Sequence, residues 1–202
     1  MLKAMQKIDI AGPVGALETI VIPATGEQTG IAVVCHPNPS QGGTNTNKVI
    51  QTAAKALSQL GYTCYLPNLR GVGSSDGNHD HGIGEVDDVI AVVDYARQQH
   101  GALPLALAGF SFGGFVAART RARIDADKLL LMGPAVGKYE IPTPEVPADT
   151  LVIHGEADEV VPLENVMVWA RPQHLPVIVL PEAGHFFHGR LVQLAGLIKR
   201  CW

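Results

Sequence analysis

Apolar residues run along this chain in short stretches, and the stretches alternate between two periods. Residues 7–10 and 17–22 read as two strands, joined at the turn Ala11-Gly12-Pro13. Residues 31–35 (Ile-Ala-Val-Val-Cys) are apolar without interruption, as in a strand covered on both faces. A polar loop rich in Gly, Pro and Asn follows, and residues 47–60 then carry Val49, Ile50, Ala53, Ala56, Leu57 and Leu60 at helical spacing. Gly61 stops that helix and residues 62–66 form the next strand. The alternation goes on: a helix over 85–99, a strand over 103–108, a helix over 112–122 and strands over 128–132 and 150–153. A short helix over 162–170 opens on a proline, and a strand over 175–180 and a helix over 186–200 close the chain.

Strands that alternate with helices need crossover connections, so the sheet should be mostly parallel, of about eight strands, with helices on both faces. Only residues 133–149 resist assignment. They hold four prolines, which argues against a helix, and a seventeen-residue loop of that kind suggests one wall of a site. Seventeen residues are also too few for a helical cap domain, so the site is expected to be fairly open.

Composition narrows the class. A length of 202 residues fits a single domain, 1–202, and 47% hydrophobic residues allow a substantial core. The net charge of −4 offers no footprint for nucleic acid, and no apolar run approaches a membrane span. Lys3 and Lys7 precede no long apolar segment, so no signal peptide is expected and the cytosol is the expected compartment. Three cysteines give no disulfide framework. Cys35 and Cys64 lie within apolar strands and read as buried, inert thiols.

Chemistry in an open parallel sheet sits beyond the carboxyl ends of its strands. After residues 103–108 comes Gly109-Phe110-Ser111-Phe112-Gly113, a G-x-S-x-G pattern between a buried strand and a helix. Such a turn is sharp enough to present a serine hydroxyl at a helix N-terminus. After residues 150–153 comes His154-Gly155-Glu156-Ala157-Asp158-Glu159, and after 175–180 comes Pro181-Glu182-Ala183-Gly184-His185. The chain order Ser, Asp, His, each just past a strand, is that of a nucleophile, an orienting acid and a base. Of the three carboxylates, Glu156 should cap local amides and Glu159 should favour the following helix start by charge, leaving Asp158 to face His185. His188 is the rival base. His36 and His154, at strand ends, read as loop-fixing hydrogen bonders, and Arg70 as the brace of its own turn. His79-Asp80-His81 lacks the further ligands a metal site needs, so no metal or cofactor is expected.

These segments, with His36-Pro37-Asn38-Pro39-Ser40-Gln41-Gly42-Gly43 and Asn68-Leu69-Arg70-Gly71-Val72-Gly73-Ser74-Ser75, resemble the α/β-hydrolase superfamily over nearly the whole chain. Within it the chain is similar to small uncapped hydrolases related to dienelactone hydrolase and often described only as predicted esterases. Relatives often carry His-Pro-His-Pro where this chain has Asn38. Dienelactone hydrolase works through a cysteine, whereas Ser111 stands at the elbow here. The resemblance implies a three-layer α/β-hydrolase fold without a cap and a serine hydrolase acting on a small acyl substrate, a carboxylic ester above all. In it Ser111 attacks, His185 moves the proton and Asp158 orients the ring. An oxyanion hole is implied at two backbone amides. One is that of Phe112, and Asn38 is chosen for the other because Pro37 and Pro39 have no amide hydrogen. A thioesterase, peptidase or acyltransferase on the same triad stays open, as does a non-catalytic binding protein on a hydrolase scaffold. Oligomeric state is not legible.

Overall fold

The computed structural model describes residues 4–202. Eight strands form one sheet: β1 (Gln6–Gly12), β2 (Gly15–Ile22), β3 (Gly30–Cys35), β4 (Tyr62–Pro67), β5 (Leu105–Phe110), β6 (Lys128–Met132), β7 (Leu151–Gly155) and β8 (Val177–Leu180). The spatial order is β1-β2-β4-β3-β5-β6-β7-β8. β1 and β2 form an antiparallel hairpin, β2 runs antiparallel to β4, and every other neighbour is parallel.

Five α-helices and two short 3-10 helices (Pro39–Gln41 and Arg171–Gln173) complete the described chain: α1 (Lys48–Gln59), α2 (Gly84–His100), α3 (Phe112–Arg121), α4 (Leu163–Ala170) and α5 (Leu191–Cys201). Alternate side chains of each inner strand leave on opposite faces. Ile31, Val33, Leu105, Leu107, Leu129 and Leu131 join one core with α2, α3 and α4. Ala32, Val34, Ala106, Ala108, Leu130 and Met132 join the other with α1 and α5. The result is three layers, and β3 and β5, buried at every position, form its centre. Each large aliphatic side chain buried there contributes about 2 kcal/mol of transfer free energy.

Local signals end the elements where chemistry requires. The Asn47 side chain accepts from the amides of Val49 and Ile50 and starts α1, and Gly61, at φ 91°, ends it. Strands β1, β2, β5 and β7 run one or two residues past the expected ends, and three boundaries shift for a local reason. The strand expected from 103 starts at Leu105, because Pro104 has no amide to donate and gives only its carbonyl, to the Ile31 amide. The strand expected from 175 starts at Val177, just after Pro176. The last helix starts at Leu191 and not near 186, because Phe187 (φ 52°) and Gly189 (φ 70°) wind the chain left-handed.

The connection over 133–149 contains no helix, as its prolines require, and there is no cap domain. It departs from expectation in where it lies. The Trp169 indole donates to the Pro144 carbonyl, the Val146 amide donates to Gln173, and Tyr139, Ile141 and Val146 pack into the core shared by α3 and α4. Its first residues reach the site described below: Gly133 lies beside Asp158 and His185, and the Ala135 amide donates to the Ser111 carbonyl. No described helix is long and apolar enough to cross a membrane.

Candidate active site

Ser111 follows the last residue of β5 and precedes the first of α3, at φ 54° and ψ −116°. That conformation is costly for a residue with a Cβ, by about 1–3 kcal/mol. The surrounding bonds hold it there. The Ser111 amide donates to the Met132 carbonyl, and its own carbonyl accepts from Phe115 and Ala135. The flanking glycines are required by contact. A Cβ on Gly109 would overlap the backbone of Gly113, and a Cβ on Gly113 would overlap the carbonyl of Cys35. The elbow can therefore be sharp only with glycine at both places.

The three sequence-selected side chains meet. Ser111 Oγ lies 2.9 Å from His185 Nε2, and His185 Nδ1 lies 2.7 Å from Asp158 Oδ2. A carboxylate only accepts, so Nδ1 carries the proton and Nε2 is left with a lone pair toward the serine hydroxyl. The other carboxylate oxygen of Asp158 accepts from the amides of Val160 (2.9 Å) and Val161 (2.7 Å). Burial alone would raise the Asp158 pKa. The hydrogen bond from His185, with that of the Val161 amide, outweighs burial and holds the carboxyl below its ordinary value.

Ser111 is 6% exposed and His185 2%, so both residues are more buried than an uncapped site suggests. Phe186, 38% exposed, stands beside the His185 ring with centroids 5.1 Å apart. A cleft of about 630 Å³ opens elsewhere, lined by Tyr65, Tyr95 and His100 among others, and none of the three residues lines it.

The loop carrying Asn38 is tied down at two points. The Leu69 amide donates to His36 Nε2 (3.1 Å), which fixes the proton on Nδ1, and Nδ1 donates to the Pro37 carbonyl (2.7 Å). Both ring nitrogens are in use, and burial pushes the His36 pKa down to about 4. Further along, the Asn45 amide donates to the buried Asn68 side chain. The Phe112 amide is the first of α3 and has no intrahelical acceptor. The backbone of Gly113 touches Cys35 and His36, so the start of α3 and the Asn38 loop are neighbours.

The remaining residues singled out from sequence fall into structural roles. His154, fully buried, donates Nε2–H to the Val161 carbonyl (2.8 Å) and lies 3.4 Å from Asp158 Oδ2. Burial lowers its pKa, so its ring is neutral. Arg70 braces its turn by pairing both its amide and its guanidinium with buried Asp88 of α2. Asp80 caps the Gly84 amide at the start of α2, and His79 Nδ1 lies 2.9 Å from the buried Glu85 carboxylate. His188 is exposed beyond Phe186.

Two carboxylates make contacts that the sequence does not suggest. Glu156 accepts an amide across the site, that of Glu182 (2.9 Å). Glu159 accepts the amide of His185 itself (3.3 Å), with no bond to the helix start. Sequence spacing carries no signal for either contact, because each depends on how two distant loops meet.

Residues 27–146 match the family model described as serine aminopeptidase, S33. The chain belongs to this family of α/β serine hydrolases. The hydrolase is 37% identical to XC6422 from Xanthomonas campestris, an α/β serine hydrolase without lid, with a TM-score of 0.93 over 100% of this chain and 94% of that one. It is 38% identical to an α/β serine hydrolase homologue from Coxiella burnetii, with a TM-score of 0.92 over 99% and 98% of the two chains. An uncharacterized protein of Rickettsia prowazekii is 34% identical over 208 residues, covering 96% of this hydrolase and 87% of the relative.

Proposed function

We propose that this hydrolase cleaves carboxylic esters of small acyl groups, with Ser111 as nucleophile, His185 as general base and acid, and Asp158 as the orienting acid. One observation carries the reading: the unbroken run of hydrogen bonds from Ser111 Oγ through the His185 ring to Asp158, with the proton placed on Nδ1. Ser111 Oγ attacks the acyl carbon while Nε2 takes its proton. The carbonyl oxygen becomes an oxyanion, held by the backbone amides of Phe112 and Asn38. Nε2–H then protonates the leaving alcohol as the C–O bond breaks, and an acyl-serine remains. Water, deprotonated by the same nitrogen, repeats the sequence and returns Ser111 with release of the acid.

Peptide cleavage is the second reading, favoured by the aminopeptidase description of the matching family. An aminopeptidase must pair the free ammonium of its substrate with an anionic group. Near His185 the carboxylates of Asp158, Glu156 and Glu159 are all engaged by amides or by the imidazole, and that of Glu182 lies 3.7 Å from the Arg190 guanidinium, which favours the ester. The cytosol is proposed as the compartment, supported by three unpaired thiols.

A fluorophosphonate should label the protein once, at Ser111. A panel of p-nitrophenyl esters, thioesters and aminoacyl p-nitroanilides should give fastest turnover on short esters. Peptide mapping of the adduct to Ser40, Ser74 or Ser75 would overturn the nucleophile, and faster anilide cleavage would overturn the ester.

A further inference from the structure

Pairing between β7 and β8 does not stop at their last register pair, Gly155 and Leu180. The Glu156 amide donates to the Leu180 carbonyl (3.0 Å) and the Ala157 amide to the Ala183 carbonyl (3.0 Å). Side chains then take over. Glu156 accepts from the Glu182 amide and Glu159 from the His185 amide, while Asp158 takes the imidazole of His185. The two glutamates are three residues apart, and so are the two amides they hold. The acid loop and the base loop are thus zipped together from the strand ends to the reacting nitrogen.

The fit is specific at two glycines. A Cβ on Gly155 would overlap the Ala183 carbonyl, and a Cβ on Gly184 would stand 3.0 Å from Glu159 Oε2. Glycine at 184 leaves the carboxylate room to lie along the peptide that leads into His185. Glu182 is left-handed (φ 58°), a conformation that a non-glycine residue holds only under constraint, and its amide is the one Glu156 binds.

We infer that Glu159, supported by Glu156, is a positioning residue for the base. This rests on the reading of His185 as that base. The bond from Asp158 fixes one ring atom, but the imidazole also hangs from a loop backbone through two rotatable bonds. Nε2 stays at bonding distance from Ser111 only if the Cα of His185 is held as well. Glu159 supplies that hold with an acceptor oxygen of the right reach on the amide of the same residue.

The test compares Glu159→Ala, Glu159→Asp and Glu159→Gln with wild type on p-nitrophenyl acetate, with Ser111→Ala as control and thermal unfolding to check folding. Asp keeps the charge but falls one methylene short, and Gln keeps the reach and an acceptor oxygen without the charge. For Ala and Asp, kcat should fall about tenfold with KM within about twofold of wild type, the loss of one well-placed hydrogen bond. Gln should restore kcat to within about twofold. Because Asp and Ala share the lost reach, the result does not hang on one variant's folding. Wild-type kcat in the Ala and Asp variants, a Gln variant as impaired as Ala, or an effect confined to KM would each overturn the inference. Turnover retained by Ser111→Ala would bring down the triad reading and the inference with it. An inactive Ser111→Ala beside a fully active Glu159→Ala would bring down the inference alone.

Discussion

The imidazole of His185 lies over the ring of Phe110, with centroids 4.9 Å apart and planes 36° apart. Phe110 is fully buried and also meets Phe186 and Phe187. The last residue of β5 is thus the floor under the His185 ring, and the next residue is Ser111, the proposed nucleophile. Phe110→Leu keeps a buried apolar side chain but removes the flat surface. It should cost about 1 kcal/mol of stability. It should also lower kcat by about threefold to tenfold, the worth of an aromatic contact. Denaturant unfolding and ester turnover measure the two effects, and unchanged turnover in a destabilised variant would show that the ring only fills space.

Replacing Asp158 by Asn preserves shape and loses the acceptor that fixes the proton on Nδ1. We expect kcat to fall on the order of a hundredfold or more, the wrong-tautomer effect of a triad acid. Glu156→Gln keeps an acceptor for the Glu182 amide and should cost about tenfold at most. Turnover of both variants on one chromogenic ester decides it. A near-wild-type Asp158→Asn beside a collapsed Glu156→Gln would move the acid to Glu156.

Cys35 and Cys64 are buried, and burial pushes the Cys35 thiol up to about 12 and raises that of Cys64 as well. Neither forms thiolate at neutral pH. In the folded protein a thiol reagent should titrate the exposed Cys201 alone, and all three after denaturation. The double variant Cys35→Ala, Cys64→Ala should keep its ester turnover while unfolding at lower denaturant. Loss of turnover with the fold intact would give one of the two thiols a part in the chemistry.

His36 makes stability depend on pH. An unfolded histidine takes up its proton near 6.5, and the folded one only near 4, because burial disfavours the charge. Between those values the unfolded chain binds more protons, so acid favours unfolding. The stability contributed by the neutral ring is complete above about pH 6.5 and is lost as pH falls toward 4. At pH 5 the loss amounts to about 2 kcal/mol. Denaturant unfolding at pH 7 and pH 5 should show wild type losing about that much more than His36→Gln. Equal losses would mean that the ring is reached by solvent or titrates normally.

Much of the fold is legible in the sequence. Continuous apolar runs such as Ile31–Cys35 can be satisfied only in the middle of a covered sheet, and Gly109-Phe110-Ser111-Phe112-Gly113 has few uses between a strand and a helix. What sequence could not supply depends on distant contact. Nothing in β3 or β4 says that they exchange places in the sheet, or that residues 133–149 settle against Trp169 and Gln173. The bond from the His185 amide to Glu159 links residues 26 apart, and no period or spacing marks it. The expected helix over 186–200 begins only at Leu191, because the left-handed turns at Phe187 and Gly189 depend on how the loop packs and leave no mark in the apolar spacing.

The order of strands leaves β1 and β8 as the two borders of the sheet. A border strand offers free backbone groups to any other chain, and long smooth borders invite stacking of copies into fibrils. β8 is only four residues long, lies between Pro176 and Pro181, and neither proline has an amide hydrogen to offer. β1 is longer, but it carries Lys7 and Asp9 among exposed polar positions. One border is too short to template an incoming strand and the other is guarded by charge, so both open edges of the sheet are built against pairing with a second chain.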